Sequence, residues 1–129
     1  MSSETILVVD DYEDLRKLVA FFLSARGYEI IEAPSGREAI HAAITDNPNL
    51  ILLDLRLPDM NGIEVVRELQ EIPQTANIPI IAWTADYRAR PNRDMLLRSG
   101  IFECIEKPVS LRTLEAVIAR CLNAELAQL

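Results

Sequence analysis

The chain has 129 residues, enough for one domain with its own apolar core and no need of metal or disulfide staples. Apolar residues make up 50% and charged residues 26%, which sets it apart from disordered chains. Thirteen Lys and Arg against twenty Asp and Glu give a formal charge of -7, which argues against broad binding to nucleic acid or anionic membrane and suits a protein that binds cations.

The apolar runs are strand-length, too short to span a bilayer, so no membrane insertion is expected. The first residues lack the basic and apolar regions of a signal peptide. Two cysteines, Cys104 and Cys121, read as buried free thiols in a reducing compartment, with the cytoplasm as default.

Residues 6–9 form a β-branched run that ends at Asp10 and Asp11. Leu15, Leu18, Val19, Phe22 and Leu23 follow at helical spacing, with Gly27 placed to close the helix. Residues 28–33 read as a second strand. Ser35 and Glu38 then have the spacing of a capping box, and Ala39, Ile40, Ala43 and Ile44 carry the next apolar stripe.

Residues 50–53 are apolar without alternation, as in a strand buried on both faces, and the run stops at Asp54. Pro58, Asp59, Asn61 and Gly62 punctuate a loop before a helix carrying Ile63, Val66 and Leu69. Gly62 is read as relieving a backbone constraint there. A fourth strand, residues 78–83, runs up to Thr84, and a weaker helix with Met95, Leu96 and Leu97 is closed by Gly100. Residues 101–105 make a less apolar fifth strand, a candidate edge. After Lys107 and Pro108, Ser110 caps a last helix whose stripe is Leu111, Leu114, Val117, Ile118, Cys121 and Leu122, with Val109 stapled to Leu114. Five strands alternating with five helices predict one doubly wound α/β domain over residues 1–129, with a mainly parallel sheet and helices on both faces.

The polar residues gather where such a fold binds ligands, at the carboxyl ends of the strands. Asp10 and Asp11 end the first strand, Asp54 the third and Thr84 the fourth, and Lys107 follows the fifth. If the first and third strands are neighbours, three carboxylates converge, and their repulsion calls for a cation. Mg²⁺ suits an all-oxygen set that keeps water ligands, and His41 is the only histidine, so a soft-metal cluster is not indicated. A P-loop, a dinucleotide glycine fingerprint and a nucleophilic serine elbow are all missing.

These blocks, ILVVDD, ILLDLRLPDMNG, TA and KP, occur in order and at domain spacing, and the chain resembles the response regulator receiver domain of bacterial two-component signalling over essentially its whole length. The resemblance implies strand order 2-1-3-4-5, Asp54 as phosphoryl acceptor, and Asp10, Asp11, Asp54 and the Arg56 backbone carbonyl as Mg²⁺ ligands. Asp11 is the preferred direct ligand, with Asp10 acting directly or through water. Lys107 would pair with Asp54 at rest and with the phosphoryl oxygen afterwards. Thr84 would move its hydroxyl toward the new acceptor. Pro108 resembles the family's cis-proline.

Three features depart from the family pattern. The aromatic usual three residues before the lysine is replaced by Cys104, read as filling an inward pocket. Phe102 is expected on the same side as Cys104 in a regular strand, where it could assist. Trp83, beside Thr84, reads as a core aromatic or, alternatively, a partner contact. Residues 86–94 hold three arginines and Pro91 and look one residue longer than common receiver spacing, and Arg56 and Asp86 hold variable positions that could pair across the site.

The leading expectation is a receiver phosphorylated on Asp54 by a histidine kinase or phosphotransfer protein and signalling through an unknown downstream protein, with homodimerisation possible and no direct contact to nucleic acid. It would catalyse its own Mg²⁺-dependent phosphorylation and dephosphorylation. The alternative is a phosphorylation-independent binding or dimerisation module on the same fold. A small Mg²⁺-dependent phosphatase is a third class, but it lacks a substrate cap.

Overall fold

The computed structural model describes residues 4–85 and 100–127. Five parallel strands, β1 (Thr5–Val9), β2 (Glu29–Ala33), β3 (Leu50–Asp54), β4 (Ile80–Thr84) and β5 (Ile101–Glu106), form one sheet in the order β2-β1-β3-β4-β5. Four helices lie among the described residues: α1 (Glu13–Ala25), α2 (Gly36–Asp46), α3 (Gly62–Glu71) and the C-terminal α4 (Leu111–Ala127). The remaining expected helix, with Met95, Leu96 and Leu97, and the segment 86–94 fall outside the described residues. No described helix is long and apolar enough to cross a membrane.

The strand order follows from burial. Of the three interior strands, β3 and β4 are buried along their whole length and β1 over all but its first residue, while β2 at one edge is largely exposed or half-buried. Parallel strands need covered faces, and two apolar layers supply the cover. Leu7, Val9, Leu53 and Ala82 pack with Ala39, Val65, Val66 and Leu69 of α2 and α3 on one side. On the other, Ile6, Val8, Leu52, Ile81 and Trp83 pack with Val19, Leu23, Leu114 and Ile118 of α1 and α4.

Helix ends obey local chemistry. At the end of α1, Gly27 has φ 99°, its N–H donates to the Ser24 carbonyl, and Tyr28 N–H donates to that of Leu23, the pattern of a Schellman close. The Ser110 hydroxyl accepts from Thr113 N–H to start α4, as the sequence predicts. The Ser35 hydroxyl accepts from Glu38 N–H to start α2, while the Glu38 carboxylate accepts from the Ser35 hydroxyl instead of its backbone N–H, so the box predicted there forms by half. Asn61, expected only as loop punctuation, heads a full capping box on α3 with Glu64.

Three apolar expectations fail. Ile44 is 43% exposed, because the buried stripe of α2 is Gly36, Ala39, Ile40 and Ala43. Leu18 is 52% exposed, because the inward stripe of α1 runs through Arg16, Val19, Ala20 and Leu23. Phe102 does not share a face with Cys104. The β4–β5 register shifts between Ile80 and Ile81, so Ile80 meets Ile101 but Ile81 meets Glu103. The extra residue breaks the two-residue alternation. Ile101 and Cys104 therefore join the α2–α3 layer, while Phe102 and Ile105 lie against the α1–α4 layer.

Candidate functional site

β1 and β3 are direct neighbours, with Val9 opposite Leu53, so Asp10 and Asp54 emerge side by side at the carboxyl edge of the sheet. Asp10, Asp11 and Asp54 each offer a carboxylate oxygen within 4.8 Å of the others. Asp10 is fully buried and Asp54 is 6% exposed, whereas Asp11 faces solvent. Three convergent carboxylates, two of them buried, repel one another unless positive charge lies among them.

Lys107 provides that charge from the far side of the sheet. Its Nζ donates to Asp10 Oδ2 at 2.7 Å and to Asp54 Oδ2 at 3.3 Å. The lysine follows β5, and its backbone N–H donates to the Thr84 carbonyl at 2.8 Å. Thr84 is fully buried at the end of β4, one residue beyond Trp83, which is in register with Asp54. β3, β4 and the lysine after β5 are thus linked through adjacent ladders. The Lys107–Pro108 bond is cis, as the family resemblance implies.

Both Asp10 oxygens already accept hydrogen bonds, Oδ1 from Tyr12 N–H at 2.9 Å and Oδ2 from Lys107. This leaves exposed Asp11 the more open of the pair to a cation. Asp54 Oδ1 accepts from Arg56 N–H at 3.0 Å. Burial raises the Asp54 carboxyl above its usual range, and neighbouring Asp10 adds to this; the Arg56 N–H and the Lys107 ammonium pull the other way without cancelling it. The donor set is all oxygen, closely spaced and partly open to solvent, and this fits Mg²⁺.

The loop after β3 is held tightly. Gly62 N–H donates to the Leu55 carbonyl at 3.0 Å, and a Cβ on Gly62 would lie 2.7 Å from Leu55 Cα. The glycine is needed here for close approach, not for an unusual φ. Asp59 in the same loop accepts from the N–H groups of Gly36 and Arg37 at the start of α2, and these bonds hold its carboxyl below the usual range.

Arg16 was missed by the sequence reading. It is 8% exposed; one guanidinium nitrogen donates to the Asp10 carbonyl at 2.9 Å and Nε to Glu32 Oε1 at 3.0 Å. The arginine therefore clamps the β1–α1 connection from below. Its signal was present as a charged residue three positions before Val19 and seven before Leu23 on the buried stripe. Trp83 is 2% exposed inside the α1–α4 layer, and Cys104 is 7% exposed in the other layer. Phe102 is half-buried with Arg120 over its ring, Arg56 is exposed beside Asp54, and His41 is exposed on α2. Asp86 lies outside the described residues.

A profile of the response regulator receiver domain matches residues 6–119. The chain is 43% identical over 124 residues to the phosphate regulon transcriptional regulatory protein PhoB of Pseudomonas aeruginosa, covering 95% of this chain and 53% of that protein. It is 36% identical over 118 residues to an uncharacterized 14.6 kDa protein of Leptolyngbya boryana, covering 91% of this chain and 89% of the relative. The chain thus spans about half of PhoB and nearly all of the smaller relative.

Among solved structures, a CheY-like receiver domain protein from Methanospirillum hungatei superposes with a TM-score of 0.90 at 28% identity, covering 98% of this chain and 99% of that one. The receiver domain of a sensor histidine kinase from Pseudomonas aeruginosa, solved with a magnesium ion in its active site cleft, superposes with a TM-score of 0.83 at 26% identity over 95% of this chain and 99% of that one. With the sheet order, the acidic triad and the lysine in place, the chain belongs to the response regulator receiver domain family.

Proposed function

We propose that this protein accepts a phosphoryl group on Asp54 from a phosphohistidine donor, a histidine kinase or histidine phosphotransfer protein, and signals through altered contacts with a downstream protein. The observation that carries this reading is the Lys107 ammonium bridging Asp10 and Asp54 beside a three-carboxylate cluster. In the reaction an Asp54 carboxylate oxygen attacks phosphorus. A P–O bond forms, the P–N bond breaks, and imidazole leaves with the electron pair and takes up a proton. Lys107 already lies against Asp54 Oδ2, where it can meet the charge arriving on the phosphoryl oxygens.

Asp11, Asp54 and the Arg56 carbonyl would hold Mg²⁺, with Asp10 contributing directly or through water. The bound ion would supply neutralising charge between acceptor and phosphoryl group. The acyl phosphate would carry about -1.5 to -2 charges in place of the carboxylate's single charge, and three acceptor oxygens. Thr84 at the end of β4 would donate its hydroxyl to them, and its carbonyl accepts from the Lys107 backbone N–H. A shift of either residue is therefore felt by the other.

Cys104 supports a second reading, a module whose protein contacts do not depend on phosphorylation, because the side chain three residues before Lys107 is small and buried. Intact-mass analysis after incubation with a small phosphodonor, with and without Mg²⁺, separates the readings. The account expects one Mg²⁺-dependent phosphoryl adduct, lost in Asp54→Ala. Absence of an adduct from both the small donor and a phosphorylated histidine protein would favour the second.

A further inference from the structure

Trp83 is the protein's single tryptophan and is 2% exposed. It stands on β4 between Asp54 on one neighbouring strand and Ile105 on the other. Its indole Nε1 is buried without a hydrogen-bond partner, the only such side-chain atom among the described residues. Buried indoles normally place that N–H against an acceptor, and an aliphatic side chain would fill a strand position in this layer with no polar atom to satisfy. What the indole gains here is on its face: Lys107 Nζ lies 4.5 Å from the ring centroid. An ammonium over an indole is drawn to the negative face of the ring, and tryptophan is the strongest side chain for this contact.

The other two partners of that ammonium are Asp10 and Asp54. Both belong to the acidic cluster that suits a divalent cation, so a bound cation competes with Lys107 for their charge. The ring is neutral and not a metal ligand. We propose that Trp83 is a positioning residue for Lys107, its indole face holding the ammonium beside Asp54 when the carboxylates are engaged by a cation. This deepens the receiver reading, and only its kinetic consequence rests on that reading.

Two experiments test it. The first uses the metal-free protein, in which all tryptophan emission comes from Trp83. An ammonium against an indole quenches it by proton transfer to the excited ring, so Lys107→Met should brighten the emission. Emission unchanged by the loss of the ammonium overturns the pairing. The second is a double-mutant cycle on the rate of phosphorylation by a small donor at saturating Mg²⁺. Trp83→Leu should slow the reaction by about 2- to 30-fold, the range spanned by cation–π contacts, with Trp83→Phe in between.

In the Lys107→Met background Trp83→Leu should have no further effect, whereas a simple core role would slow both backgrounds alike and overturn the proposal. Trp83→Phe keeps a ring in the core and preserves the test if Trp83→Leu is poorly folded. A wild-type protein that takes no phosphoryl group defeats the receiver reading instead, and the emission comparison then decides the pairing by itself.

Discussion

The β1–β3 half of the sheet's carboxyl edge presents three carboxylates whose oxygens lie within 4.8 Å of one another, while the β4–β5 half presents Thr84, Trp83 and the chain leading to Lys107. The first half is built from strand ends in regular register, with Asp10 and Asp54 one step beyond an apolar run and Asp11 two steps beyond. The second contains a register shift, an unpartnered indole nitrogen, and a buried cysteine where the family commonly has an aromatic. In the proposed function one half places charge where a cation and a phosphoryl group can meet, which permits few residue types. The other passes a change to a surface, and packing can do that in many ways.

Lys107 joins the halves, so its removal should have the largest effect. Its side chain is 13% exposed against 1% for Asp10 and 8% for Asp54, so Lys107→Met leaves two buried carboxylates facing each other. Loss of one partner from a buried pair costs about 3–5 kcal/mol. Chemical denaturation in the presence of a chelator should show a loss of that order, partly restored by Mg²⁺. Equal stability of variant and wild type would mean that the ammonium does not hold the halves together.

Gly62→Ala probes the acceptor half alone. The new Cβ would meet Leu55 Cα at 2.7 Å and the Asp54 carbonyl oxygen at 3.1 Å, and backbone atoms cannot rotate away. Overpacking of this kind costs about 1–3 kcal/mol. The same variant should slow phosphoryl labelling, since the displaced backbone carries Asp54 and Arg56. Cys104→Ala probes the other half and should cost only about 1 kcal/mol in thermal unfolding, with Mg²⁺-dependent labelling unchanged. Slowed labelling would place Cys104 in the acceptor machinery and blur the division.

The smallest effect is a pH dependence of stability. Burial raises the Asp54 carboxyl from its usual 3.8, so between 3.8 and the raised value the folded protein binds more protons than the unfolded chain. Stability from this group therefore falls as pH rises through that window, and ionised Asp54 is a cost at neutral pH. Asp54→Asn should make the metal-free protein more stable at neutral pH, with the gain fading in acid below the ordinary carboxylate range. Paired thermal melts against pH check this, and a variant less stable at neutral pH would reverse the sign.

The same division explains what the sequence disclosed. Asp10, Asp11, Asp54, Thr84 and Lys107 stand at strand ends, and alternation of apolar runs with helical stripes suffices to bring such positions to one edge. Phe102 was placed on the wrong face because a bulge inserts one residue into β5, and nothing local in residues 101–105 announces it. Leu18 faces outward because Arg16 takes a buried position on α1, where its charge is matched by the Asp10 carbonyl and by Glu32, distant in sequence. The capping box of Asn61 and Glu64 was visible in spacing but masked by a loop rich in turn residues. Contacts made across strands are the part that a linear reading does not reach.

The most direct test of the central claim is to locate the phosphoryl group. Borohydride reduces an acyl phosphate on aspartate to homoserine, so phosphorylated protein can be reduced, digested and mapped by mass spectrometry. Homoserine is expected at position 54 alone, and only when Mg²⁺ was present during phosphorylation. Homoserine at position 10 or 11, or equal amounts with and without Mg²⁺, would contradict it.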